Sequence, residues 1–449
     1  MALRFTRKHS AILAGVAGIA LALAACGGSS GGTSGGGGAT ASMSPGCEDF
    51  ATYGSYPGTT VTLYSPIRDA DSDLINKSFE EFTKCTGIKV THEGSGEFEA
   101  QLSVRVEGGT PPDIGIFPQP GLFKEYAADG KLKVPTAAYI TQAQADYSQS
   151  WLDYGTVDGQ LYGAPFGASV KSFVWYSPKM FKDNGWTVPT TWDQLLALSD
   201  TIAATGIKPW CVGFESGAAT GWPGTDWIED IMLRTAGPEA YDKWVSNELK
   251  FDSPEVQAAF DEAAKILKNP AYVNGGYGDV KSIPSTSFQE GGLPILKGKC
   301  AMHKQASFYN SFWPKGTKVA VDGDVFAFYF PANDGKPVLG GGEIIGQFSD
   351  EPQVQSVALY MSSPAYANTR IKLCNCVMAN NKTDVTGYDN PINKLSAEIL
   401  ADPQVVFRFD GSDLMPGAVG AGTFWTGMVD WINGASTADV TKKIQASWP

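Results

Sequence analysis

One stretch of the chain, residues 60–117, decides the fold. It reads TVTLYSPIRDADSDLINKSFEEFTKCTGIKVTHEGSGEFEAQLSVRVEGGTPPDIGIF. Short β-branched runs predict strands, apolar residues at helical spacing predict helices, and Pro111-Pro112 marks a turn before the last apolar run. The predicted elements are strand 60–64, helix 74–83, strand 88–90, helix 98–106 and strand 114–117. This alternation is typical of an open α/β sheet whose ligand crevice lies at the carboxyl ends of the strands.

Short motifs spaced along the chain resemble a known family. The motifs are, in order, Gly87-Ile88-Lys89-Val90, Pro112-Asp113-Ile114, Gly163-Ala164-Pro165-Phe166, Val174-Trp175-Tyr176-Ser177 and Thr191-Trp192-Asp193-Gln194-Leu195. Together they are similar to the family 1 extracellular solute-binding proteins of bacterial ABC importers, the family of maltose-binding protein. The segments 210–217 and 411–416 look like the subgroup that serves α-glucoside importers.

The resemblance implies an α/β fold of type II, the periplasmic-binding-protein-like fold of two hinge-linked lobes with central mixed sheets. The first lobe would take residues 58–165 plus 318–367, and the second would take 166–317 plus 368–449. A ligand would bind in the cleft between the lobes and close it by a hinge motion. The implied function is capture of an α-glucoside or another oligosaccharide and its delivery to membrane permease subunits, with no enzymatic activity and no cofactor.

The N-terminus has the parts of an export signal in residues 1–25. A basic start precedes an apolar run that is too short for a membrane span of about 20 residues. Leu23-Ala24-Ala25-Cys26 then looks like a bacterial lipobox, in which Cys26 carries the lipid. An ordinary signal peptide that contains a cysteine is the alternative. Residues 26–57 would form the lipidated start and a Gly/Ser-rich tether.

The charge balance excludes some partners. Without the three basic residues of the signal, 31 basic and 47 acidic side chains remain, a net charge of −16. Nucleic acid and anionic lipid headgroups repel such a chain. The sequence therefore predicts a monomeric body on the extracytoplasmic face of the bacterial cell membrane, held there by its lipid alone.

Six cysteines remain beside the lipidated one, and an even number in an exported chain favours disulfides. Several pairings are possible in principle. We favour Cys47 with Cys85, Cys211 with Cys300, and Cys374 with Cys376, although the last pair spans one residue and would be strained. The chain has no Cys-x-x-Cys motif, and beyond the signal it has two histidines, His92 and His303, which argues against a structural zinc site.

Sugar binding requires aromatic plates for the apolar ring faces and fixed polar groups for the hydroxyls. Sequence context points to residues in Gly-rich segments, namely Glu215, Trp222, Trp227 and Glu343. The family resemblance implies Glu97, Gln119, Lys171, Gln305, Phe308 and Trp425, and we add Asp413 and Phe424 to the candidate set. Trp425 has a second interpretation, as a core residue of a C-terminal helix that Pro416 would open.

Other interpretations stay open at this point. Four acids, Asp69, Asp71, Asp73 and Glu80, fall at calcium-loop spacing. The position that needs glycine is Leu74, so we interpret them as acids at a helix N-terminus rather than as a metal site. The rival functions are an exported lipoprotein glycosidase, which would need two carboxylates, and a binding protein for another solute.

The lipobox generates a prediction about localisation. Replacing Cys26 by serine removes the lipid acceptor, so we expect Cys26→Ser to appear in the medium or the soluble periplasmic fraction with unchanged ligand affinity. Fractionation followed by immunoblotting checks this. Membrane retention of the variant equal to that of the native protein would contradict the lipid anchor.

Overall fold

The computed structural model describes residues 45–374 and 376–449. Cys26, the signal and most of the predicted tether lie outside the described residues. The folded body begins before residue 58, because Glu48–Tyr53 forms a 3-10 helix. Its Phe50 ring packs 6.3 Å from that of Phe82 and 5.8 Å from that of Tyr360.

Strands and helices alternate through the described chain. The strands are β1 (Thr60–Ser65), β2 (Lys89–Gly94), β3 (Ile114–Phe117), β4 (Thr156–Val157), β5 (Gln160–Leu161), β6 (Pro165–Val170), β7 (Phe173–Tyr176), β8 (Lys208–Trp210), β9 (Cys300–Lys304), β10 (Phe326–Tyr329), β11 (Lys336–Gln347) and β12 (Val405–Phe409). The helices are α1 (Asp69–Lys77), α2 (Glu80–Thr86), α3 (Phe98–Glu107), α4 (Pro120–Ala128), α5 (Ala137–Asp146), α6 (Gln149–Leu152), α7 (Pro178–Asn184), α8 (Trp192–Ala204), α9 (Trp222–Thr235), α10 (Pro238–Val245), α11 (Pro254–Leu267), α12 (Pro352–Met361), α13 (Pro364–Ile371), α14 (Pro391–Ala401), α15 (Gly411–Leu414), α16 (Trp425–Ile432) and α17 (Thr437–Gln445).

Polar side chains set the starts of several helices. The Thr191 hydroxyl accepts a hydrogen bond from the backbone N–H of Gln194 (3.2 Å) at the start of α8. Ser363 does the same for Tyr366 (3.1 Å) at the start of α13, where Pro364 supplies a helical φ. Such caps satisfy N–H groups that have no partner within the helix.

The first sheet has the order β12-β11-β3-β1-β2, with β6 also paired to β11. Strand β1 runs parallel to β2 and β3, as the alternation in residues 60–117 predicts. The predicted helix 74–83 is wrong in detail, because the chain forms α1 and α2 instead. The break falls at Ser78, whose hydroxyl donates to the carbonyl oxygen of Ile75 (2.6 Å).

The second sheet has the order β10-β7-β9-β8. The chain passes from the first sheet to the second through two residues, Lys171 and Ser172, between β6 and β7. It returns between β10 and β11. The residue ranges of the lobes stay a prediction. The pairing puts β10, from the range predicted for the first lobe, in the second sheet. It puts β12 and all but the first residue of β6, from the range predicted for the second lobe, in the first sheet.

Each sheet has its own apolar core. Around the first, Phe82 stacks on Tyr360 with ring centroids 4.6 Å apart. Around the second, Trp210 packs edge-on to Trp227 at 5.2 Å. Two α/β bodies joined by short crossing segments constitute the two-lobe type II fold. Within the described residues, the helices are all too short or too polar to cross a bilayer.

The three predicted cysteine pairs are joined in the structure. The Cα atoms are 5.3 Å apart in Cys47–Cys85, 5.7 Å in Cys211–Cys300 and 5.2 Å in Cys374–Cys376. The first bridge ties the 3-10 helix at the start of the body to α2. The second ties β9 to the segment after β8 within the core of the second body.

The long bridge should carry measurable stability. Cys211 and Cys300 are 89 residues apart, so their bond restricts the unfolded chain strongly. We expect the Cys211→Ala/Cys300→Ala double variant to lose about 2–4 kcal/mol of unfolding free energy in urea titrations. The matched control is Cys374→Ala/Cys376→Ala, which opens a loop of only two peptide steps and should change the free energy of unfolding much less. Equal losses in both would contradict the loop-closure account.

Candidate functional site

A cavity of about 230 Å³ lies between the two sheets. Its walls include the segments after β1 and β3 on one side and the start of α9 and the segment after β9 on the other. The crossing strands β6 and β11 contribute the floor, where Gly342 is required because a Cβ there would collide with the carbonyl oxygen of Gly167. A cavity at the carboxyl ends of sheet strands is the usual position for a ligand site in α/β folds.

Aromatic rings form much of the wall. The rings that line the cavity belong to Phe166, Trp222, Phe288, Phe308, Phe312 and Trp425. Trp222 packs edge-on to Phe288 at 5.0 Å and lies 6.1 Å from Phe308. Trp425 is only 4% exposed, and its indole Nε1 has no hydrogen-bond partner among the described residues. Such rings can cover the apolar faces of a bound molecule.

The cavity brings together many of the residues nominated from the sequence. Those that line it are Gln119, Lys171, Trp222, Phe308, Glu343, Asp413 and Trp425. The Gln119 side chain donates through Nε2 to Glu99 Oε1 (2.9 Å), while its own Oε1 is buried without a partner among the described residues. Lining the cavity makes these residues candidates for ligand contact.

Trp227 and Phe424 lie away from the cavity wall, in the core. Trp227 is 1% exposed and packs against Trp210 and Phe330, because five residues along α9 from Trp222 a side chain points to a different face. Phe424 is fully buried, with its ring 4.8 Å from that of Phe251. The C-terminal helical segment opens at Pro416, as predicted, because the carbonyl oxygen of Pro416 accepts from the N–H groups of Val419 (2.8 Å) and Gly420 (2.9 Å). A π-helical turn, Val419–Phe424, then precedes α16, which begins at Trp425.

Three other nominated residues organise backbone outside the cavity lining. The Glu215 carboxylate accepts from the backbone N–H of Gly217 (2.8 Å), and that of Glu97 accepts from the N–H of Ala218 (3.1 Å). The amide oxygen of Gln305 accepts from the N–H of Ala306 (2.9 Å). These bonds fix the loops from which the lining residues project.

Several lining residues were absent from the sequence-based set. They include Arg68, Asp71, Glu99, Arg370 and Asp410. Asp71 carried a signal in the acidic run 69–73, which we interpreted as helix N-terminal acids. Nothing in the sequence marked Arg370 as a cavity residue. Helix α13 has an ordinary amphipathic pattern, and the position of Arg370 depends on how distant segments pack.

A buried ion cluster surrounds Lys171 at the crossing between the sheets. Its ammonium donates to Asp410 and to Asp226 Oδ1 (3.0 Å), and Asp413 Oδ2 lies 3.8 Å away. The Nζ atom also lies 5.4 Å from the centre of the Trp222 ring. One cation thus holds the start of α9 to the segment that follows β12.

The spacing of acids along α9 continues this cluster. Asp226, Glu229 and Asp230 are three and four residues apart and therefore share one helix face. Glu229 accepts from the backbone N–H groups of Gly411 and Ser412, each at 3.1 Å. Asp226, Glu229 and Asp410 are close enough to share a metal ion, but the Lys171 ammonium already bonds two of them.

Protonation differs sharply between the two acids that Lys171 bonds. Burial raises the pKa of Asp226 to about 7, against the attraction of Lys171 and helped by the charge of Asp410. Burial also acts on Asp410, but Lys171 and a hydrogen bond from Asp226 outweigh it and lower the pKa to about 2. Asp226 is therefore mainly protonated below about pH 7, where Asp410 stays ionised.

The chain belongs to the family of bacterial extracellular solute-binding proteins, whose family model matches residues 68–368. It is 40% identical over 416 residues to the alpha-glucosides-binding periplasmic protein AglE of Rhizobium meliloti, covering 89% of each chain. It is 38% identical to the osmoprotective compounds-binding protein GgtB of Synechocystis sp., over 90% of this chain and 96% of that protein.

Solved structures agree on the fold. A chitin oligosaccharide binding protein superposes with a TM-score of 0.74 at 22% identity, covering 86% of this chain and 97% of the other. At that identity the likeness concerns the fold.

The raised pKa of Asp226 predicts a pH effect on stability. A group whose pKa is higher in the folded state stabilises the fold at low pH, and this contribution is lost as pH rises through about 7. Asp226→Asn imitates the protonated acid at every pH. We therefore expect its melting temperature, relative to that of the native protein, to be higher at pH 8 than at pH 5. A difference that stays constant with pH would contradict the shifted pKa.

Proposed function

We propose that this protein is the substrate-binding lipoprotein of an ABC sugar importer. It captures an α-glucoside or another oligosaccharide in the cavity between its lobes and delivers it to the permease subunits. The observation that carries this proposal is the cavity itself, whose walls combine aromatic rings with buried polar groups. A sugar has the matching surface, apolar C–H faces and a rim of hydroxyls.

The polar groups of the cavity suit hydroxyl recognition. Glu343 and Asp413 supply carboxylates at the wall, and Gln119 has an amide oxygen free to accept. Burial raises the pKa of Asp413, with further contributions from the charge of Asp410. A hydroxyl can donate to an ionised carboxylate and accept from a protonated one, so this site suits a neutral polyhydroxylated ligand over an anion.

The relatives support the same solute class. One is named for binding α-glucosides and another for binding osmoprotective compounds, and each matches about nine-tenths of this chain. We infer an α-glucoside ligand from the first name. The second widens the panel of solutes that must be tested.

Contacts between the two sides of the cleft support hinge closure. The Glu97 carboxylate, after β2, accepts from the N–H of Ala218, after β8. Gln289 Nε2 donates to Asp69 Oδ2 (3.2 Å), at the start of α1. We propose lobes of 58–165 plus 318–367 and 166–317 plus 368–449, apart from the strand exchanges of β6, β10 and β12. The two lobes close by making such bonds.

Anchoring by Cys26 would hold this site at the extracytoplasmic face of the cell membrane. A Gly/Ser-rich segment of some 20 residues spans roughly 25 Å on average, enough to let the body meet permease subunits in the same membrane. The anchor, the tether and the permease contact belong to the proposal.

Calorimetry against glucosides tests the function directly. The panel is maltose, trehalose, sucrose and maltotriose, with galactose and inorganic phosphate as comparison solutes. We expect at least one α-glucoside to bind and to be recovered intact. A ligand at 100 times its Kd should stabilise the fold by about 2.7 kcal/mol. Shortened products would favour the glycosidase, and binding of phosphate alone would favour another solute class.

Two tryptophans provide a matched test of the cavity. Trp425 lines it, whereas Trp227 lies in the core. We expect Trp425→Ala to weaken glucoside binding about ten- to a hundredfold, equivalent to about 1.4–2.8 kcal/mol, with a modest fall in melting temperature. Trp227→Ala should instead cost about 3–5 kcal/mol of stability. Unchanged affinity together with a steep loss of stability in Trp425→Ala would assign that ring to the core.

A further inference from the structure

Arg370 is a buried cation without the partners that burial requires. It lies on α13, is 4% exposed and borders the cavity beside Phe166, whose ring centre is 5.4 Å from its Cζ. Its Nε and Nη1 atoms have no hydrogen-bond partner in the described part of the chain. Buried guanidinium groups are normally paired, so these N–H groups lack an acceptor that something else must supply.

Two carboxylates line the same cavity without pairing with the guanidinium. Glu343, on β11, and Asp71, on α1, both line it, and neither forms an ion pair with Arg370 among the described residues. Burial raises the pKa of each carboxyl. The positive charge of Arg370 opposes this rise at Glu343, and at Asp71 a hydrogen bond with Ser311 and then the charge of Arg370 oppose it. The three charged groups therefore interact electrostatically without forming an ion pair.

The other titratable neighbours are already satisfied. Both ring nitrogens of His92 are bonded, to the hydroxyls of Ser65 and Ser72 at 2.7 Å each. Burial and the charge of Arg370 lower the pKa of His92 to about 4, so the ring is neutral at physiological pH. The Tyr366 hydroxyl forms a hydrogen bond of 3.2 Å with the hydroxyl of Ser78. Neither side chain supplies what Arg370 lacks.

The charges of Arg370, Glu343 and Asp71 determine which chemical group of a ligand can bind there. A hydroxyl accepts from the guanidinium with its oxygen and donates its proton to a carboxylate, so it can bridge the two. A carboxylate or phosphate would be repelled by Glu343 and Asp71. An ammonium could only donate and would be repelled by Arg370. A neutral, hydroxyl-bearing group satisfies all three residues at once.

We propose that Arg370 is a ligand-binding and specificity-determining residue, which together with Glu343 and Asp71 binds hydroxyl groups of a neutral sugar or polyol. The inference rests on the proposed function and deepens it. It specifies that the ligand is uncharged and names three residues that bind its hydroxyl groups. The residue comes from a segment that sequence analysis did not nominate.

The experiment uses the full folded protein and the tightest-binding sugar among maltose, trehalose and sucrose. Titration calorimetry compares the native protein with Arg370→Gln and Arg370→Lys. We expect Kd to rise about ten- to a hundredfold for Arg370→Gln, which removes charge-assisted hydrogen bonds, and less for Arg370→Lys, which keeps the charge. Arg408→Gln is the matched control, since Arg408 pairs with Asp242 outside the cavity, and it should bind like the native protein.

Monodeoxy analogues of the same sugar separate contact from a structural role. The analogue that lacks the hydroxyl bound by Arg370 should bind weakly to the native protein and lose little more with Arg370→Gln. Equal affinity of all three proteins for the sugar would overturn the inference alone. So would preferred binding of the corresponding glucuronide by the native protein.

If Arg370→Gln fails to fold, Arg370→Lys and the analogue series decide. If no sugar of the panel binds the native protein, the proposed function and this inference fall together.

Discussion

The ion pair network of Lys171 is the interaction on which the rest of the structure depends. Lys171 lies in the two-residue connection between the sheets, and its ammonium bonds acids from α9 and from the segment after β12. A buried ammonium must be compensated where it lies, and carboxylates so close together must share protons or a cation. The pairing of Lys171 with these acids therefore positions the crossing point, the second core and the cavity wall. Removing either sign of charge would leave the other uncompensated.

Helix α9 shows how one element serves both stability and the site. Its first residue, Trp222, faces the cavity, while Trp227 belongs to the core and Asp230 binds Lys304 and Arg234. Arg234 in turn donates to the carbonyl oxygen of Pro331, on the return path to β11. The helix thus connects the cavity wall to both segments that cross between the sheets. A shift of this helix would move the site and the crossing segments together.

Local sequence patterns predicted the parts of the fold that depend on neighbours in the chain. The parallel strands of residues 60–117 follow from periodicity, and the even number of cysteines predicted disulfides, although parity alone did not select Cys85 as the partner of Cys47. Local patterns did not predict which tryptophan lies in the cavity and which lies in the core. Trp222 and Trp227 have similar surroundings in sequence, and they differ only in the face of α9 on which they lie. Lys171 meets partners 55 and 239 residues away, and Arg370 faces groups on α1 and β11. Contacts at such separations depend on packing that no local pattern records.

If the proposed anchor holds the chain at its N-terminus, the Cys47–Cys85 bridge has a mechanical consequence. Tension along a tether would enter the folded body at Cys47, the residue before the first 3-10 helix. The covalent bond passes that force directly to α2 and bypasses β1, a strand in the interior of the first sheet. Residues 47–85 are enclosed in a closed loop that pulling from the membrane side cannot extend. The load would then be borne at α2, and β1, which lies between β3 and β2 in the first sheet, would be shielded from it.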